Sequence, residues 1–244
     1  MLFGLIMRGV AFEFRFKASS RRHVWDTFFF VGSVIATFSQ GIMLGALVQG
    51  LEASNRLYTG GPFDWLSPFP IVCGFALIIG YALLGSTWLI IKTEHTLQVW
   101  ARKVSGWMLL ALVVAMIIVT GFMYFSDINA LEDWFSFPSL LYLAPMPIIV
   151  VLLFFLMRKD LKTEREYRPF LLTVALFLMG YIGVCFAMFP YIVPYQMTIY
   201  EAAAADTSLS FMLIGAGIML PIILSYTAFA YYTFKGKSDH KPMY

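Results

Sequence analysis

Charge is what this sequence has least of. Only 13% of its 244 residues are Asp, Glu, Lys or Arg, while 60% are hydrophobic. A soluble domain covers its core with about a quarter of charged residues, so a water-soluble globule is excluded. Histidine is equally scarce. His23, His95 and His240 are the whole set, and each lies between apolar runs or in the C-terminal tail. A bis-histidine haem inside the bilayer needs His on facing helices, and copper or catalytic zinc needs a comparable ligand set; none is provided. A Met such as Met188 or Met219 as a single axial ligand competes with gap-filling, the commoner use of Met, in a chain with 14 of them. Cys73 and Cys185 are too few for a metal framework and read as free thiols within apolar segments. The opening MLFGLIM is too short for a signal-peptide core behind a basic segment. The basic residues sit in short loops without the folded basic face that nucleic acid requires.

What is present is a set of six uncharged runs, at 27–51, 65–91, 104–126, 134–157, 169–200 and 207–234. Each is long enough for a hydrocarbon core of about 30 Å, which takes roughly 20 helical residues. Backbone without internal hydrogen bonds has no place in lipid, so these runs are predicted to be helices. Pro145, Pro147 and Pro221 within them are tolerated kink sites. The six tryptophans fall near run ends, where the amphipathic indole prefers the interface. Segments 8–22, 92–103, 158–168 and 235–241 hold five, three, five and three Lys or Arg, against one, none and none in 52–64, 127–133 and 191–206. The positive-inside rule makes the first set cytoplasmic and puts the C-terminus inside.

Residues 1–7 are apolar but span only about a third of a bilayer. Two readings remain: the cytoplasmic end of a helix whose earlier part is missing from a truncated chain, or a short interfacial helix. In the second, Phe12, Phe14 and Phe16 lie at the headgroups, and Arg15, Lys17, Arg21 and Arg22 on anionic lipid. The expected fold is therefore an all-α polytopic membrane bundle: a partial helix and basic segment at 1–24, six complete transmembrane helices within 25–234, and a tail at 235–244.

Secondary transporters and pumps keep ionisable groups at mid-membrane, and none of the six runs contains one. A transporter of this helix count, or a purely structural assembly protein, stays as the alternative reading. Polar residues within the runs are mild. Gln40 beside Ser39 suits either a hydrogen bond to a neighbouring helix or a quinone carbonyl, and Gly41-x-x-x-Gly45 permits close helix approach. Glu13 and Lys17 stand four apart, an i,i+4 pair on a continuing helix.

Several motifs carry a resemblance. They are Arg8-Gly-Val-Ala-Phe-Glu13-Phe-Arg15; Trp25-Asp26 followed by Phe30-Val31-Gly32-Ser33; Gly45-Ala46-Leu47-Val48-Gln49-Gly50; Phe189-Pro190-Tyr191-Ile192-Val193-Pro194; Glu201-Ala202-Ala203; and Leu220-Pro221-Ile222-Ile223-Leu224 with Tyr226-Thr227-Ala228. In this order they resemble subunit II of the cytochrome bd-type quinol oxidases, while 71–157 matches mainly in hydropathy. The compact outer loops are similar to the cyanide-insensitive branch. The resemblance implies a fold of eight helices in two four-helix bundles, of which the first helix and most of the second are absent from this chain. It implies a bacterial inner-membrane complex in which haem b, haem d and the quinol site belong to a partner, subunit I, and oxygen is reduced to water. It further implies that Glu13 and Lys17 lie at the cytoplasmic mouth of a proton route, with Arg8 and Arg15 as supporting charge.

Overall fold

The computed structural model describes residues 1–18, 21–51, 53–54, 57–125, 145–194 and 196–237. Eight α-helices account for nearly all of them: α1 (Leu2–Lys17), α2 (Arg22–Gln49), α3 (Pro68–Lys92), α4 (His95–Phe125), α5 (Pro145–Lys162), α6 (Arg168–Met188), the single turn α7 (Ile199–Ala202) and α8 (Asp206–Thr233). Two short antiparallel hairpins, β1 (Ala53–Ser54) with β2 (Leu57–Tyr58) and β3 (Tyr191–Val193) with β4 (Met197–Thr198), lie at the end of the bundle opposite the basic segments.

Five helices are long and apolar enough to cross a membrane: Arg22–Gln49, Pro68–Lys92, His95–Met123, Arg168–Phe186 and Asp206–Thr233. The predicted count of six is thus met by five among the described residues. The remaining run, 134–157, is described only from Pro145. There it forms an 18-residue helix whose last five residues include Arg158, Lys159, Asp160 and Lys162. Trp134 and the rest of that run lie outside the described residues, as do Asp127, Glu132, Asp133 and the end of the tail from 238.

Helix ends and run ends differ for a physical reason. Hydropathy marks where lipid begins, but the backbone goes on pairing with itself past that depth. So α4 starts at His95, nine residues before its apolar run, and α2 starts at Arg22. The fifth run, predicted as one helix over 169–200, instead stops being helical at Met188. Pro190 and Pro194 bring no N–H to a helix, and the chain turns back as β3–β4, with Ile199 N donating to Pro190 O at 2.9 Å. Residues 2–17 form one helix packed lengthwise on α2.

Helices adjacent in sequence pack in order, α1 on α2, α2 on α3 and α3 on α4, while α5 and α6 pair and close against α3 and α4. Without a hydrophobic driving force between helices in lipid, close approach depends on small residues. A Cβ on Gly41 would lie 2.6 Å from the Cα of Gly74, and one on Gly45 2.6 Å from the Cα of Pro70. The Gly41/Gly45 pair is therefore the seam between α2 and α3, as its spacing suggested. Gly4 plays the same part for α1, 2.7 Å from the Gly32 carbonyl by the same measure. The hydroxyls of Ser86 and Ser105, both buried, meet at 2.9 Å between α3 and α4. Leu83, Leu109, Met157 and Leu176 form the core where α3 to α6 converge. Helix α8 is different, because it buries none of its residues.

Candidate functional site

The first candidate group lies where α1 and α2 meet on the basic face. The continuing helix places Lys17 Nζ 3.5 Å from Glu13 Oε1, with both side chains about three-quarters exposed. Arg15 does not join them. Its guanidinium Nε contacts Asp26 Oδ1 of α2, and Phe14 stacks on Trp25 with ring centroids 5.1 Å apart. Arg8 sits over the Phe29 ring, 5.4 Å from its centroid. The structure thus brings Glu13 and Lys17 together, and it turns Arg15 and Arg8 onto α2. In the sequence Asp26 stands out only as part of the Trp25-Asp26 motif. Its role as partner of Arg15 depends on α1 packing lengthwise on α2, which spacing alone does not reveal.

Gln40 lies elsewhere, midway along α2, where its Oε1 accepts the Tyr81 hydroxyl of α3 at 3.1 Å. Ser67 similarly donates to Gln49 Oε1 at 2.6 Å. Of the two roles open to Gln40, the interhelical hydrogen bond is present.

A second group on the basic face escaped sequence reasoning. Asp160, only 3% exposed at the end of α5, faces Arg168 Nε at 3.2 Å and Arg165 Nε at 3.7 Å. Arg168 approaches Oδ2 as an ion pair without hydrogen-bond geometry. The turn between α5 and α6, with Glu164 at φ 56°, then offers its carbonyls to α4: Arg102 donates to Glu164 O at 2.7 Å and to Arg165 O at 3.0 Å. Glu166 Oε1 accepts from Gln98 at 3.0 Å and from Lys237 at 2.8 Å. The Lys237 hydrogen bond, then that from Gln98, holds the Glu166 carboxyl below its usual range, and Glu166 in turn raises Lys237. Lys92 completes the group by donating to Phe234 O at 2.9 Å and Gly236 O at 3.1 Å. A cation at the end of α8 satisfies its orphan carbonyls and complements its dipole. Together these contacts fasten the α3–α4 turn, the α5–α6 turn and the end of α8 to one another. A signal was available in Asp160, an acid embedded in a basic segment. Its partners, however, come from a fold-back that no periodicity announces.

On the opposite face Asp64 Oδ2 accepts from Gly61 N at 2.6 Å and from the Tyr58 hydroxyl at 3.0 Å. Thr198 and Glu201 form a capping box on α7. The Thr198 backbone N–H keeps the Glu201 carboxyl below its usual range.

The resemblance assigns haem to a partner subunit. His95 is largely exposed and His23 is exposed, each near the first residue of its helix on the basic face. His240 lies outside the described residues. Among the described residues no three His, Cys, Asp or Glu side chains converge as a metal site.

The fold and this charge distribution define a class: a polytopic helical membrane protein whose charged side chains, among the described residues, gather towards its two faces. The family described as cytochrome bd terminal oxidase subunit II matches residues 1–234, and the chain belongs to that family. It is 25% identical over 252 residues to the Bacillus subtilis cytochrome bd ubiquinol oxidase subunit 2, covering 99% of this chain and 72% of that protein. It is 26% identical over 276 residues to the Escherichia coli (strain K12) cytochrome bd-I ubiquinol oxidase subunit 2, covering 97% and 72%. Among solved structures, the bd oxidase from Geobacillus thermodenitrificans shares the fold with a TM-score of 0.74 at 15% identity, over 96% of this chain and 71% of that one.

Proposed function

We propose that this chain is the haem-free subunit II of a bd-type quinol oxidase of the bacterial inner membrane, with its basic face and C-terminus in the cytoplasm. In that complex it packs against a haem-bearing subunit I, which supplies haem b, haem d and the quinol site, and it carries no catalytic centre of its own. The family match over residues 1–234 supports this reading. Reduction of oxygen to water consumes a proton for each electron delivered, so the complex needs a route from the proton-supplying side. Glu13 and Lys17 suit its mouth. They are paired at 3.5 Å, exposed, and seated on a helix whose register is held by Arg15 and Asp26. Glu13 collects the proton, with the Lys17 ammonium 3.5 Å away. Gln40 is the weaker candidate for a quinone contact, through the amide nitrogen not engaged by Tyr81.

The test is Glu13→Gln in the assembled complex. Quinol-driven oxygen consumption is expected to slow across pH 6 to 8, with haem content and assembly unchanged. Wild-type turnover in a fully assembled variant would reduce Glu13 to a surface charge.

A further inference from the structure

Helices α3, α6 and α8 leave a slot of about 370 Å³ between them, lined by Tyr81, Leu84, Gly85, Trp88, Phe170 and Tyr231. Its wall is aromatic: the Trp88 ring lies 5.1 Å from that of Phe170 and meets Tyr231 edge-on at 5.8 Å. A Cβ on Gly85 would meet nothing within 4 Å, so the slot is open along α3 as well. Helix α8 stands across it without burying a residue, held at its basic end by Lys92 and Lys237. Water gains little in an apolar slot at hydrocarbon depth, because it finds too few polar partners there. A hydrocarbon chain entering sideways from the bilayer fits that chemistry.

The mouth has the opposite character. Lys92 Nζ lies 5.4 Å from the Trp88 ring centroid and spends two of its three N–H donors on the Phe234 and Gly236 carbonyls just past α8. Lys235 follows directly on Phe234 and rests over the Tyr232 ring at 4.0 Å. Among the described residues neither ammonium is paired with a carboxylate. Lys92 beside the Trp88 indole, with Lys235 next in sequence to the Phe234 carbonyl that Lys92 holds, makes a cationic end to the slot complementary to a phosphate at headgroup depth.

We propose that this slot is a binding site for one anionic phospholipid. An acyl chain lies along Gly85 between α3, α6 and α8, and the phosphate sits at Lys92 and Lys235. The lipid fills the space that α8 leaves and couples that helix to the bundle.

The protein, purified with its partner subunit and placed in phosphatidylcholine nanodiscs containing a minority of phosphatidylglycerol, tests this by native mass spectrometry of retained lipid. Wild type is expected to retain phosphatidylglycerol, and Gly85→Leu to lower retention about tenfold. Lys92→Gln combined with Lys235→Gln should abolish the preference for phosphatidylglycerol over phosphatidylcholine. A second measurement needs no filled slot: chain-brominated phosphatidylglycerol should quench the emission that disappears in Trp88→Phe, and do so more than brominated phosphatidylcholine. Unchanged retention in Gly85→Leu, an undiminished headgroup preference in the double variant, or a Trp88 signal indifferent to the brominated lipid would each overturn the site.

Discussion

Arg15 of α1 and Asp26 of α2 form an ion pair, joining residues 11 apart in sequence. The pair draws the Arg15 guanidinium away from Glu13 and leaves Lys17 as the cation beside that acid. If Glu13 receives protons, the two cations should therefore differ in effect. Lys17→Gln is expected to lower quinol-driven oxygen consumption more than Arg15→Gln. Both pairs are exposed to about half or more, so the thermal stability of either variant should change by no more than ~1 kcal/mol. Equal losses of turnover would mean that the local field, and not the Glu13–Lys17 contact, sets the rate.

The α2–α3 seam predicts an asymmetry among glycines. Gly41→Ala places a methyl 2.6 Å from the Gly74 Cα and 2.7 Å from the Cys73 carbonyl, neither of which has a flexible end to yield. A loss of about 1–3 kcal/mol is expected, the usual size for overpacking. Gly217→Ala in α8 meets nothing within 4 Å and should be neutral or stabilising by about 0.5–1 kcal/mol, as expected when Gly is removed from a helix interior. Thermal unfolding in detergent, with the two variants measured side by side, decides it.

The Glu166–Lys237 contact should be insensitive to pH over a wide range. The Glu166 pKa is lowered from 4.5 in the folded chain, so its contribution is present above that value and lost as pH falls through the depressed one. The Lys237 pKa is raised from 10.5, so its contribution is present below that value and lost as pH rises through the elevated one. A spin label at Lys235→Cys is expected to stay immobile from about pH 5 to about pH 10 and to loosen on either side. Glu166→Gln should loosen it at neutral pH as well. A label as mobile at pH 7 as at pH 3 would show that Lys92 and the aromatic contacts alone hold the end of α8.

The charge asymmetry predicts accessibility from each side of the membrane. With Cys73 and Cys185 replaced, Thr59→Cys and Ala203→Cys should react with an impermeant thiol reagent in intact cells. Thr163→Cys, on the turn between α5 and α6, should react only after the membrane is opened. Labelling of Thr163→Cys in intact cells would invert the orientation.

The membrane class, most of the helices, the basic face and the Gly41/Gly45 seam were legible in the chain because lipid imposes local rules. Each span must satisfy its own backbone hydrogen bonds and present apolar side chains over a set length, and small residues at i and i+4 mark where two helices touch. Run ends misplaced helix ends at His95 and Met188, since hydropathy reports solvent while helix ends follow backbone donors and prolines. Tertiary structure alone decided which polar groups meet: Arg15 with Asp26, Tyr81 with Gln40, Arg168 with Asp160, and Lys237 with Glu166, 71 residues away. It also decided that α8 stands apart and leaves a slot with a charged mouth. Long charged side chains and helix spacings have no period in sequence. Their partners are set by which helices pack together and at what distance, and the chain reveals that only once it is folded.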